Sequence, residues 1–313
     1  MSKIWAIALN TFKEAVRNRI LYILFIFALL ILAGSGVISD LTIAEKERII
    51  RDLGLASISF FGLLIAVFVG IGLIYNEMDK KTIYTIISKP IHRYQFILGK
   101  FVGLLLTIYI IVLLMCLFFL FVLHLQSLTS RDTIDKVMWY QENGEWVHKP
   151  FTVYIGYLIK SACLSFIRAI GSFLSIYQTG ITQNIVPVVF YTSLELAIIT
   201  AFAILYSTIT SPTLSAILTV LTFIIGRLNE DIIRYAWRLK EKENAIESIG
   251  GTLKYGFAYI AAHISPNLEL FNKRVEAVYG TVGFDSIAVY YGIFYTACII
   301  ILAILAFRRR NIK

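Results

Sequence analysis

The chain has 313 residues, of which 58% are hydrophobic and 16% charged, and its mean hydropathy is +0.77. Soluble domains run roughly 45–50% apolar and about 25% charged, so two ordinary water-soluble domains are excluded, as is disorder, which needs low hydrophobicity. The formal net charge of +9 reads as the basic inner loops of a polytopic membrane protein rather than as a nucleic-acid surface.

Residues 1–19 are basic and amphipathic, with Trp5, Ile7, Leu9, Phe12 and Val16 among Lys3, Lys13, Arg17 and Arg19. That pattern fits a helix lying at the inner membrane surface. Residues 20–38 carry no charge and are long enough to cross about 30 Å of hydrocarbon, whereas a cleaved signal peptide needs an apolar core of only about 7–15 residues. The first span is therefore read as retained. Residues 39–54 are charged, with isoleucines near one helical face, which suggests a short interfacial helix. A second span follows over 55–76, a charged segment over 77–95, and a third span over 96–124.

Residues 125–182 form an outer segment. Its first part is polar, with Gly144 and Pro150 as breakers. In 153–179, Ser161, Ser165, Arg168, Ser172, Ser175 and Thr179 recur at spacings of three and four, a narrow polar stripe on an apolar helix. This helix lies in the interface or lines a polar route; Arg168, Ser165 and Ser172 are its candidate pathway residues. A fourth span covers 183–208 and contains Glu195. The turn Thr210-Ser211-Pro212-Thr213 leads to a short fifth span, 213–228. An outer segment, 229–283, precedes the sixth span, 284–307, and a basic tail, 308–313.

The charges test this six-span order within one transmembrane domain, 1–313. With both termini cytoplasmic, 1–19, 77–100 and 308–313 hold 13 basic and 3 acidic residues, and the outer pieces hold 16 of each. The excess positive charge thus lies inside. Were 153–179 also to cross, the count would be seven and Arg308-Arg309-Arg310 would face outward.

Glu195 lies mid-span, where a charged carboxylate costs roughly 2.5–3.5 kcal/mol on insertion scales and should face protein or water. It reads either as a pathway contact or as a hydrogen-bonded glutamate that fixes packing, with Tyr191 or Tyr206 on its own helix. Arg168 is a partner by sign alone. Cys116, Cys163 and Cys298 share no metal or disulfide spacing, and the four histidines share no helical face. No GxxxxGK[ST] phosphate loop occurs, so no ATP site of that kind, no catalytic residue and no bound cofactor or metal is expected. Energy for any driven work must come from a partner.

Segment 77–100 is the most informative. It reads Glu77-Met78-Asp79-Lys80-Lys81-Thr82-Ile83-Tyr84-Thr85-Ile86-Ile87-Ser88-Lys89-Pro90-Ile91-His92-Arg93-Tyr94-Gln95-Phe96-Ile97-Leu98-Gly99-Lys100. Asp79 or Thr82 could cap a short helix that Pro90 ends, because proline disfavours helix in the residue before it. A plain hairpin connection needs only a few residues; this one has the charge and apolar knobs of a docking element.

The segment resembles the loop between spans two and three of type-2 ABC transporter permeases, the membrane subunits of ABC exporters. It is similar in particular to the branch that includes the nitrous-oxide reductase maturation permease. Glu77, Thr82, Ser88, Lys89, Pro90, Arg93, Phe96, Gly99 and Lys100 carry the likeness. Arg17-Asn18-Arg19 and Ser265-Pro266-Asn267-Leu268-Glu269 extend it, and the 125–182 segment, longer than in many members, departs from it. The resemblance implies an all-α fold with a cytoplasmic coupling helix and short outer helices over 229–283. It further implies a pair of permease copies, identical or related, and two ABC ATPase subunits that use ATP-Mg. Within the coupling segment it implies Glu77 and Arg93 as polar contacts and Tyr84 and Ile87 as apolar knobs, with Lys80, Lys81, Thr82, Ser88, Lys89 and Pro90 around them. The address it implies is a bacterial or archaeal inner membrane. Three functions follow as expectations: an exporter permease, a mechanical transmitter that relays ATP hydrolysis to an outer partner protein, or an ATP-independent channel or membrane enzyme.

Overall fold

The computed structural model describes residues 3–40, 46–79, 92–128, 139–142, 145–148, 151–174, 184–241, 255–256, 259, 265–274, 276 and 283–309. Among these, nine α-helices occur: α1 (Lys3–Val16), α2 (Arg19–Asp40), α3 (Lys46–Asp79), α4 (Arg93–Leu128), α5 (Phe151–Phe173), α6 (Ile185–Ile209), α7 (Pro212–Arg227), α8 (Asn229–Glu241) and α9 (Ser286–Arg309). A short hairpin pairs β1 (Trp139–Glu142) with β2 (Glu145–His148) antiparallel, Trp139 opposite His148. The protein is an all-α polytopic membrane protein carrying this one small hairpin.

Helices α3 and α6 form the centre. Each is apolar around its whole circumference and 78% of its apolar window is buried, against 22% for α2 and 28% for α9. The outer helices turn Ile23, Phe27, Leu30, Tyr290 and Phe294 outward, as expected of helices solvated by lipid. Serine and threonine hydroxyls within the core helices donate to carbonyls three or four residues back, as Thr192 does to Val188 at 3.0 Å and Thr200 to Leu196 at 2.6 Å, so these hydroxyls are satisfied without water.

Glycines set how closely helices approach. A Cβ on Gly62 would lie 2.6 Å from Leu196 Cδ1, and one on Gly103 would lie 2.5 Å from the Ala8 carbonyl oxygen. The amphipathic α1 is therefore not a free surface helix. It is seated on the first half of α4 at Gly99 and Gly103, with Ala8, Thr11 and Ala15 buried.

Six helices are long and apolar enough to cross a membrane, and this set includes 155–173 but not α7, which has 16 residues. Side-chain contacts decide which helices carry the chain from one end of the bundle to the other. At one end, Arg93 reaches the Arg308 carbonyl at 2.9 Å and Phe96 stacks on Phe307. At the opposite end of α4, Gln126 donates to the Gly36 carbonyl at 3.0 Å and His124 meets Ser172 at 2.8 Å. Tyr191, near the start of α6, accepts from the Asp285 amide at the start of α9, so α6 begins at that second end as well. α5 therefore adds no net crossing between α4 and α6. Helix α7 starts where α6 stops, runs back about 24 Å and ends level with Glu195, near the middle of α6. Among the described residues, α1 and the last turn of α9 lie at the end where α3 stops and α4 starts.

Two boundaries differ from the sequence reading. Lys46–Asp79 is one continuous helix, not an interfacial helix followed by a span: Gly54, between Arg51 and Leu55, does not break it but gives room to the Phe119 ring, which a Cβ there would overlap, and the charged first turns extend the same helix. Trp139–His148 is a hairpin where only a polar segment was expected. The expected coupling helix, the stripe residues Ser175 and Thr179, and about half of the 229–283 outer segment lie outside the described residues.

Candidate functional site

The buried charge on α6 has its partner on α7. Arg227 Nη2 donates to Glu195 Oε2 at 2.7 Å and to Ser59 Oγ of α3 at 3.3 Å. Glu195 is 1% exposed and Arg227 16%. The guanidinium also sits over the Phe223 ring, 5.6 Å from its centroid. Glu195 Oε1 is buried without a hydrogen-bond partner among the described residues. One arginine thus ties α3, α6 and α7 together at the buried centre. Sequence reasoning missed Arg227 because it assigned that residue to the edge of span five. The signal available was a lone cation ending the 31-residue uncharged run that follows Glu195.

The proposed partners of Glu195 are engaged elsewhere. Tyr191 serves the start of α9, and the Tyr206 hydroxyl pairs with Thr222 at 2.9 Å. Arg168 is on α5, which packs on α4, and is not the residue that meets Glu195. The serine stripe turns inward onto α4: Ser161, Ser165 and Ser172 are buried, and Ser172 bonds His124. Four candidate pathway residues therefore fall into two groups, Glu195 in the α3–α6–α7 cluster and Ser165, Arg168 and Ser172 on α5.

The end of α7 is closed by the Ser265–Glu269 motif. The Leu268 amide donates to the Gly226 carbonyl at 3.0 Å, and Asn229 Nδ2 donates to Ser265 Oγ at 2.8 Å. The Asn267 amide donates to the Tyr291 hydroxyl at 2.9 Å, so the motif clasps α7 to α9. Gly226 permits this approach, since a Cβ there would lie 2.9 Å from the Pro266 carbonyl oxygen. Next to the clasp, Lys273 bridges Glu276 at 3.0 Å and Asp285 at 3.4 Å. Partial burial pulls the Lys273 ammonium down, but Glu276 and Asp285 together raise it above its ordinary value. The Asp285 carboxyl is held below the usual range by the Ala288 amide first, which burial opposes, with Lys273 and the Ile287 amide adding to the lowering.

A cavity of about 500 Å³ opens beside the ion pair, between α2, α3 and α7. Phe60, Phe61 and Phe223 supply its apolar wall, and Arg227 and Arg274 line it. Burial and the neighbouring Arg227 depress the Arg274 pKa from its usual value.

The ends of the 77–95 segment are visible. α3 continues to Asp79 and carries Glu77 in its last turn. On the other side, the His92 amide donates to Gln95 Oε1 at 3.2 Å, one arm of a capping box that starts α4. Arg93, expected as a docking contact, caps the last carbonyls of α9 through Arg308, a position where a cation also meets the negative end of the helix dipole. Lys80, Lys81, Thr82, Tyr84, Ile87, Ser88, Lys89 and Pro90 lie outside the described residues.

No curated protein matches the chain. Residues 5–312 match a family model described as ABC-2 family transporter protein. A match over nearly the whole chain, on a polytopic helical bundle, establishes that this protein belongs to the ABC-2 transporter family.

Proposed function

We propose that the chain is the permease subunit of an ATP-driven exporter, working as a dimer with two copies of a separate ABC ATPase docked on segment 77–93. Family membership supplies the permease role and, in general, an ATPase partner. ATP-Mg would be held and hydrolysed by that partner, and this chain would bind no cofactor. The excess positive charge of 1–19, 77–100 and 308–313 supports cytoplasmic termini and an inner-membrane address.

One observation carries the reading. α3 and α4 have 34 and 36 residues, about 51 and 54 Å at 1.5 Å per residue, well beyond the roughly 20 residues a span requires. They flank 80–91 and reach the core, α3 presenting Ser59 to Arg227 and α4 gripping α9 through Arg93 and Phe96. A push on the segment is thereby delivered along two stiff helices to the α3–α6–α7 cluster and to α9.

The test is co-purification with a co-expressed ABC ATPase, wild type against the double variant Tyr84→Ala/Ile87→Ala. The expected result is a co-eluting ATPase with wild type and its loss with the variant at unchanged membrane level. Wild type eluting without an ATPase under mild detergent would overturn the proposal.

A further inference from the structure

The cavity between α2, α3 and α7 is apolar on its walls but cationic at one edge. Phe60 is 55% exposed and Ile31 44%, so the wall is open to whatever lies beside the chain. Arg227 and Arg274 are the charged residues of its lining. The carboxylates that act on Arg274, those of Glu195, Asp52 and Glu269, are not part of that lining, and Glu195 is already taken by Arg227. The surface presented to an occupant therefore combines aromatic rings with the Arg274 guanidinium, the Arg227 charge being balanced by Glu195. Guanidinium forks match phosphate oxygens in geometry and charge, and the rings match an acyl chain.

We propose that this groove holds an anionic phospholipid, its phosphate accepting from Arg274 and one acyl chain lying on Phe60, Phe61 and Phe223. A second copy is the competing occupant. In a two-fold contact the same patch meets itself, which would set this cationic edge against its own image, and like charges across an interface are unfavourable. An acidic lipid removes that repulsion. The site holds whether or not the chain moves a solute, so its failure and the failure of the exporter reading are separable.

The full chain carrying Phe60→Trp, reconstituted in phosphatidylcholine nanodiscs, gives the readout as the emission added over wild type. Brominated phosphatidylglycerol is expected to quench it at about a tenfold lower mole fraction than brominated phosphatidylcholine, the scale of a charge-assisted hydrogen bond. Arg274→Gln should bring the two lipids close to parity. Native mass spectrometry of the unsubstituted protein should likewise show phosphatidylglycerol retained after phosphatidylcholine has left. Equal quenching by both lipids, or a preference unchanged by Arg274→Gln, overturns the proposal. Quenching by neither lipid overturns it in favour of a second protein copy over the groove.

Discussion

Arg227→Met isolates the ion pair at the centre of the bundle. It removes a 2.7 Å contact to a carboxylate that is 1% exposed and has no other hydrogen-bond partner among the described residues. Breaking a buried pair from one side costs about 3–5 kcal/mol, because the remaining charge stays buried and unpaired. Glu195→Gln should cost less, about 1–2 kcal/mol, since Arg227 is 16% exposed and keeps access to water and to Ser59. The double variant Glu195→Leu/Arg227→Met should recover most of the loss, as apolar replacement of a buried pair is often neutral. Thermal unfolding in detergent would place Arg227→Met roughly 5–15 °C below wild type on the scaling for large domains. An Arg227→Met protein within about 1 kcal/mol of wild type, or a double variant no more stable than Arg227→Met, would refute the assignment.

Three further outcomes follow from named contacts. Gly103→Ala puts a methyl 2.5 Å from the Ala8 carbonyl oxygen; backbone cannot yield there, so α1 should lift at a cost of about 1–3 kcal/mol. In a Cys163→Ser background, a cysteine substituted for the buried Thr11 should then become reactive to a thiol reagent. Tyr191→Phe removes the acceptor of the Asp285 amide at 2.6 Å and should lower stability by about 0.5–1.5 kcal/mol, read from the same melts. Asp285→Asn tests the clasp by pH. A depressed folded pKa stabilises above the ordinary carboxylate range and loses that contribution as pH falls through the depressed value. The gap in melting temperature between wild type and Asp285→Asn should therefore hold from pH 8 down to the ordinary carboxylate range of about 4 and close below it; a gap that widens in acid would contradict the assignment.

Most of the helices were legible because lipid demands continuous apolar runs that composition alone reveals. α7 was legible as a short apolar helix from its Pro212 start, but its pairing with α6 through Arg227 and Glu195 was not. α5 shows the reverse: its residues are apolar enough to cross, yet the His124–Ser172 contact returns its last turn to the end where α4 stops. The hairpin had a signal that went unused, Asn143-Gly144 between the two strands, a pair favoured in two-residue turns. What sequence could not supply was pairing. Glu195 had three plausible partners by type, and only packing selects Arg227. Arg93, a docking contact by the resemblance, also reaches the end of α9 with its guanidinium, a contact across 215 residues that no local pattern announces.

The most direct test of the central claim is ATP hydrolysis by the partner ATPase, measured with and without this chain in the same vesicles. The chain should raise the rate, and Ile87→Asp in segment 77–93 should abolish the increase while the protein inserts at normal levels. A rate indifferent to the chain, or one that Ile87→Asp leaves intact together with Glu77→Arg, would contradict a permease driven through that segment.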